Sequence, residues 1–77
     1  MGIEHNLICG VRNKEGKFER CYRESNVCRD ALPKIGERIT VNDLLERGGG
    51  NYRVFDVIHY YACSGSAQIP DVFAEKF

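Results

Sequence analysis

The sequence predicts a mainly β protein: a small, strongly bent antiparallel barrel of five strands, with one short helical turn near residues 42–47. Two runs rich in Val, Ile and Tyr carry this prediction, residues 32–41 and residues 51–61, and the glycines at 48–50 join them. β-branched and aromatic residues bounded by Pro and Gly are typical of strands and their turns. In the second run the alternation changes phase near Phe55 and Asp56, which indicates a β-bulge of the kind that bends barrel strands.

Length and composition limit the architecture. The 77 residues suit one small-barrel domain, 1–77, and a domain of this size buries only about 60–65% of the surface that its unfolded chain exposes. A deep, enclosed active site is therefore not expected. Hydrophobic residues make up 43% of the chain and charged residues 29%, which are ordinary globular values and exclude a disordered chain.

The first predicted strand covers residues 3–12, where apolar and polar residues alternate with a period of two. His5 falls on the apolar face of this strand. Asn13 and Gly16 then suit a tight turn, because Asn is favoured at its first position and Gly readily takes the left-handed conformation that closes it.

The second predicted strand covers residues 17–23, with Phe18 and Tyr22 on its inner face. Residues 24–34 are rich in charge, Ser and Asn, and we interpret them as a loop. The third strand covers residues 36–41.

The helical turn follows the third strand. Asn42 is a capping residue, Arg47 suits the end of the helix dipole, and Gly48 ends the turn. A long bent strand then covers residues 52–63.

The last segment, residues 67–77, fits two structures. Val72, Phe73 and Phe77 suit a closing strand, whereas Pro70 suits the first turn of a short helix. The strand and the helix both stay open as alternatives, and we prefer the strand.

Residues 33–41 (PKIGERITV) and 52–59 (YRVFDVIH) resemble a pattern found in short uncharacterised bacterial proteins with SH3-like barrels, including proteins carried on mobile gene cassettes. The resemblance covers less than a quarter of the chain, and residues 42–47 look like an insertion relative to it. It implies an SH3-like or Sm-like barrel without an assigned activity, so it transfers no site residue.

Exposed aromatic residues give the predicted partner surface. Consecutive Tyr60 and Tyr61 must point to opposite faces of a strand, so at least one lies outside the core. An outward tyrosine beside an arginine can stack on a partner and hydrogen-bond to it. The leading hypothesis is a non-enzymatic binding module that self-associates through a sheet edge, and a peptide or another protein is the other expected partner. The predicted site residues are Arg38, Tyr52, Arg53, Tyr60 and Tyr61.

The zero net charge of the chain argues against a protein that functions mainly by binding nucleic-acid backbones. The chain has 11 basic and 11 acidic residues, whereas attraction to phosphates dominates nucleic-acid affinity. Residues 12–38 nevertheless hold eight basic and five acidic residues, a local surplus of three. Single-stranded nucleic-acid binding therefore remains an alternative. It would use Arg20, Arg23, Arg38 and Arg53 with Tyr52 or Tyr61 as a stacking platform.

We expect no enzyme activity and no cofactor. His5 with Cys9, and His59 with Cys63, each stand four residues apart, which separates them by about 13 Å along a strand. The four cysteines form no C-x-x-C pair, and without a secretory signal they are expected to be reduced. A zinc- or thiol-dependent protein is the third alternative, using Cys21, Cys28, His59 and Cys63.

The start of the chain lacks the basic and apolar regions of a signal peptide, and no apolar run is long enough to span a membrane. We therefore expect a cytoplasmic protein that does not bind membranes.

Overall fold

The structure is a computed structural model that describes residues 3–42, 50–61 and 69–77. It contains five strands: β1 (Ile3–Arg12), β2 (Phe18–Arg29), β3 (Arg38–Val41), β4 (Gly50–Ile58) and β5 (Asp71–Lys76). The mainly β prediction is confirmed, as is the strand preferred for the last segment, and the described residues contain no helix. The predicted helical turn covers residues 42–47, and all of them except Asn42 lie outside the described part of the chain.

The strands form one curled sheet, a half-barrel, in the order β2-β1-β5-β4-β3. All neighbouring pairs are antiparallel except β1 with β5, which is parallel. The prediction of an antiparallel sheet is therefore wrong for this pair. A parallel pair needs a long connection between its strands, and the segment that carries β2, β3 and β4 supplies it.

The hydrophobic core lies on the concave face of the sheet and is drawn from its three central strands. Its buried members are Leu7, Cys9, Tyr52, Val54, Val72 and Ala74. Alternation along β1 places His5 on this face as well, and only 1% of its surface is exposed.

The predicted bulge in β4 is confirmed. Val54 pairs with Ala74, but the next pair is Asp56 with Phe73, so Phe55 is an extra residue. The bulge turns Phe55 to the outer face and returns Val57 to the concave face, which explains the change of phase in the sequence.

A second bulge, in β2, overturns one prediction. Cys9 pairs with Tyr22 whereas Gly10 pairs with Arg20, so Cys21 is the extra residue. Tyr22 packs against the core, while Phe18 joins Phe55 and Phe73 on the outer face. Phe18 and Tyr22 therefore do not share a face.

The predicted loop at residues 24–34 is also wrong in its first half, because β2 continues to Arg29. β1 offers a pairing partner over this whole length, and that pairing overrides the irregular sequence. The strand accommodates the irregularity at Asn26, which has a φ of 56° and donates its backbone N–H to Asn6 Oδ1 at 3.2 Å.

Within the described residues, we find no helix of the length and apolarity that crossing a membrane would require.

Candidate functional site

The concave side of the sheet holds a cavity of about 320 Å³. His5 and Leu7 of β1 lie at its floor, Val27 of β2 lines one side and Ile39 of β3 lines the other. β2 and β3 are the two edge strands of the sheet, so the curl brings both edges to the same cavity.

A second cavity of about 270 Å³ extends the first. The two share Leu7 and residues from both edge strands, and the second reaches Tyr22 and Val41. We call the combined cavity the β2–β3 groove; its sides are residues 22–29 and residues 37–42. Ala31 and Pro33 line the groove at the His5 end only.

The β3 side of the groove presents backbone groups. Opposed residues of an antiparallel ladder alternate between pairs that exchange hydrogen bonds and pairs that do not. The Glu37 carbonyl accepts the Val54 N–H at 2.9 Å, so the next hydrogen-bonded residue along β3 is Ile39. Arg38 and Thr40 therefore direct their N–H and C=O groups away from β4, to the free edge of the sheet, and both residues line the groove.

His5 is the most unusual residue of the groove. Its Nδ1 is buried and has no hydrogen-bond partner, the only such side-chain nitrogen or oxygen among the described residues. A buried polar group without a partner costs about 1–3 kcal/mol. An imidazole nitrogen either donates or accepts a hydrogen bond according to its tautomer, but at 1% exposure the ring is closed off from groups that enter the groove.

Both signs of charge line the groove. Glu24 and Arg29 contribute from β2 and Glu37 contributes from the β3 side, whereas the guanidinium of Arg38, which also lines the groove, lies over the ring of Phe77 on the outer face. Glu24 accepts a hydrogen bond from the Tyr22 hydroxyl at 2.9 Å. Glu24, Arg29 and Glu37 form no ion pair within the described residues.

A second candidate surface lies on the outer face. Arg38 and Arg53 are directly opposite each other on β3 and β4, and both guanidinium groups lie over the ring of Phe77, at 5.4 and 4.8 Å from its centre. Phe77 is 60% exposed. Two cations that share one exposed ring can hold an anion or an aromatic group.

Tyr52 does not belong to that surface, contrary to the sequence-based site. Its side chain is fully buried in the core, where its hydroxyl lies 3.3 Å from the sulfur of Cys21. Burial, together with this hydrogen bond, raises the pKa of Tyr52. Pairing with Ile39 explains the burial, because both residues face the concave side of the sheet.

Tyr60 and Tyr61 are exposed, as expected, but they lie beyond the opposite end of β4 from Arg53. The Tyr60 hydroxyl donates a hydrogen bond of 2.6 Å to Asp71, which raises the pKa of the tyrosine. Tyr61 is 96% exposed. The structure thus brings together Arg38 and Arg53 but separates them from both tyrosines.

The cysteines differ in environment. Cys9 is buried, and burial raises the pKa of its thiol to about 12. Cys21 and Cys28 are free and exposed, whereas Cys63 of the alternative zinc set lies outside the described residues. The part of the chain that the structure describes contains no group of three metal-binding side chains.

Sequence reasoning missed His5 and Phe77 as site residues. The alternation of β1 did place His5 on the apolar face, but the groove depends on two edge strands that meet only in the folded sheet. Phe77 gains its arginine neighbours from β3 and β4, and no local pattern indicates them.

Comparison with protein-family models, with curated proteins and with solved structures finds no match to this chain. Function is therefore inferred from the geometry of the groove and of the outer surface.

Proposed function

We propose that this protein is a non-enzymatic binding module that takes an extended polypeptide segment in the β2–β3 groove. The observation that carries the proposal is that two edge strands line one groove. Edge strands offer backbone donors and acceptors, and proteins commonly recognise extended peptides by adding them to such an edge.

The dimensions of the groove suit a short segment. Its β3 side runs from Glu37 to Asn42, which is roughly 17 Å in extended conformation, enough for five or six residues. β2 and β3 run in opposite directions, as the pairing of the intervening strands requires. A bound segment is thus antiparallel to one edge and parallel to the other.

The side chains of such a segment would meet two environments. Alternate residues face inward, where Leu7 on the floor and Ile39 on the β3 side offer apolar contact. The residues between them face outward, near the charged residues of the two edges. Backbone pairing would supply affinity, and the floor would supply specificity.

The SH3-like or Sm-like barrel assignment is part of this proposal. The strong curl of the sheet and the bulge that bends β4 support it. A cytoplasmic location is proposed with it, and the free thiols at Cys9, Cys21 and Cys28 are consistent with a reducing compartment.

The test is selection from a display library of random peptides of about eight residues, longer than the groove. We expect the wild-type protein to enrich a family of related peptides. Thr40→Pro removes a backbone N–H at the free edge of the sheet and should abolish binding, whereas Thr40→Val keeps this N–H and should bind like the wild type.

Two results would count against the proposal: no enrichment by the wild-type protein, or equal binding by the proline and valine variants. The source of the segment is settled separately by sedimentation of the purified protein. A concentration-dependent dimer that Thr40→Pro disrupts would show that a second copy supplies the segment.

The outer surface supports a second candidate function, single-stranded nucleic-acid binding. Arg38 and Arg53 flank the exposed ring of Phe77. The ring can stack on a base, and the two guanidinium groups beside it can bind phosphates. Phe77 takes the stacking role that the sequence reasoning gave to a tyrosine.

Titration with a labelled oligothymidine at increasing salt tests this candidate. We expect binding that weakens steeply with salt and that Arg53→Gln reduces more than Arg23→Gln. Arg23 is a matched control because it is an exposed arginine on β2, which β1 and β5 separate from β4. Equal losses in the two variants, or no binding at low salt, would rule out a site at Phe77.

A further inference from the structure

We propose that Cys21 is an oxidation site for hydroperoxides and that Cys9 is its partner, so that oxidation links β1 and β2 through a Cys9–Cys21 disulfide. The proposal goes beyond peptide binding and does not rest on it, because it depends only on how two cysteines meet across neighbouring strands.

The bulge in β2 brings Cys21 next to Cys9. Cys9 pairs with Tyr22 and Gly10 pairs with Arg20, so Cys21 lies between these two pairs on the neighbouring strand. Paired residues of antiparallel strands have Cα atoms about 4.5–5.5 Å apart, and disulfides join residues whose Cα atoms lie about 4.4–6.8 Å apart. The spacing of the two strands is therefore one that a disulfide can span.

The Cys21 sulfur lies on the side of the sheet that carries the core. It is 3.3 Å from the hydroxyl oxygen of Tyr52, which is fully buried in the same hydrophobic cluster as Cys9. Consecutive residues of a regular strand point to opposite faces, but a bulge lets Cys21 and Tyr22 lie on one face. Cys9 and Cys21 thus share the concave face.

The two thiols differ as a peroxide-reactive pair requires. Cys21 is exposed, so a hydroperoxide in solution reaches it, whereas Cys9 is buried. Burial, and after it the negative charge of a nearby Cys21 thiolate, raises the pKa of the Cys9 thiol to about 12. Oxidation therefore begins at Cys21, and Cys9 is the thiol that resolves it.

The reaction takes two steps. The sulfur of Cys21 attacks one oxygen of the hydroperoxide, whose O–O bond breaks; Cys21 becomes a sulfenic acid, and its thiol proton leaves with the other oxygen as water or an alcohol. The sulfur of Cys9 then attacks the sulfur of Cys21, and the Cys9 proton leaves with the sulfenic hydroxyl as water. The two thiols together lose two electrons, which the hydroperoxide accepts.

The test is treatment of the reduced, folded protein with one equivalent of hydrogen peroxide, followed by alkylation, tryptic digestion without reductant and mass spectrometry. Trypsin separates the four cysteines, because each lies on its own peptide: residues 1–12, 21–23, 24–29 and 54–76. We expect peptide 1–12 to be linked to peptide 21–23. The same treatment in concentrated urea should give a mixture of pairings, because unfolding removes the strand register.

Cys28→Ser is the matched control. Cys28 is also an exposed cysteine of β2, but it pairs with Glu4 and not with a cysteine. This variant should form the disulfide at the wild-type rate, whereas Cys21→Ser, a change at an exposed position, should leave Cys9 reduced. In Cys9→Ala the sulfenic acid has no resolving thiol, so dimedone should label Cys21 there and lose this labelling in the wild type.

Three results would overturn the proposal: a Cys21 sulfinic acid beside a reduced Cys9, a link from Cys21 to any other cysteine, or the same mixture of pairings in the folded and unfolded proteins. The peptide selection is carried out on the reduced protein, so failure of either proposal leaves the other standing.

Discussion

Phe18 packs directly over Gly10, so closely that a Cβ atom at Gly10 would come within 2.6 Å of the ring. The carbonyl oxygen of Glu19 would be closer still. On the same outer face Phe18 also contacts Phe55 and Phe73, with ring centres 5.3 and 6.2 Å away. The missing side chain of Gly10 thus allows a second apolar cluster to form on the face opposite the core.

Replacing Gly10 with alanine should therefore destabilise the protein. The added methyl group must displace both a ring and a backbone carbonyl, and overpacking of this kind costs about 1–3 kcal/mol of unfolding free energy. Urea denaturation followed by circular dichroism measures the change.

Gly16→Asn is the control for that variant. Gly16 has a φ of 80° and open space around it, and asparagine tolerates this backbone conformation. Its unfolding free energy should stay close to that of the wild type. A Gly10→Ala protein as stable as the wild type would contradict the close packing of Phe18.

The buried thiol of Cys9 makes stability depend on alkaline pH. Burial raises its pKa from the ordinary 9.0 to about 12, so above pH 9 the unfolded chain loses this proton while the folded protein keeps it. The contribution of Cys9 to the unfolding free energy is therefore complete below pH 9 and is lost as the pH rises towards 12. Over this range the unfolding free energy falls by at most about 1.4 kcal/mol per pH unit.

Urea denaturation between pH 8 and about 10, in the presence of a reductant, should show this decline. Cys9→Ala should be less stable at pH 8 because it loses packing, but its stability should fall less steeply with pH. Parallel slopes in the two proteins would show that Cys9 is not the titrating group.

His5→Leu should stabilise the protein. It replaces a buried nitrogen that has no partner among the described residues with an apolar side chain on an apolar face, which removes a cost of about 1–3 kcal/mol. Thermal and urea unfolding of the unliganded protein measure the gain.

His59→Leu is the matched control, since His59 is exposed and surface substitutions usually change stability by less than about 0.5 kcal/mol. A lower unfolding free energy for His5→Leu than for the wild type would mean that His5 stabilises the fold and is not kept at a cost to stability.

Local patterns predicted the features that depend on neighbouring residues. The turn at residues 13–16 forms as expected: Gly16 has a positive φ, and Asn13 Oδ1 accepts the N–H groups of Glu15 and Lys17, both at 2.9 Å. The change of phase around Phe55 likewise marks the bulge in β4.

The predictions that failed concern features that depend on pairing between strands far apart in the sequence. The parallel pair of β1 with β5 joins residues more than 60 positions apart, such as Leu7 and Val72, and no local pattern encodes it. Tyr52 is next to the charged Arg53 in the sequence, which is typical of an exposed residue, yet its pairing with Ile39 places its side chain in the core. The groove itself exists only because β2 and β3 become the two edges of one curled sheet.

The most direct test of the groove is hydrogen exchange at the amides of β3, measured by NMR with and without a selected peptide. In the free protein we expect the Arg38 and Thr40 amides to exchange quickly and the Ile39 amide slowly, because only Ile39 is bonded to β4 by the alternation of the ladder. Binding should slow exchange at Arg38 and Thr40 by tenfold or more, the effect of about 1.4 kcal/mol. Unchanged exchange at both amides in the peptide-saturated protein would contradict an added strand at this edge.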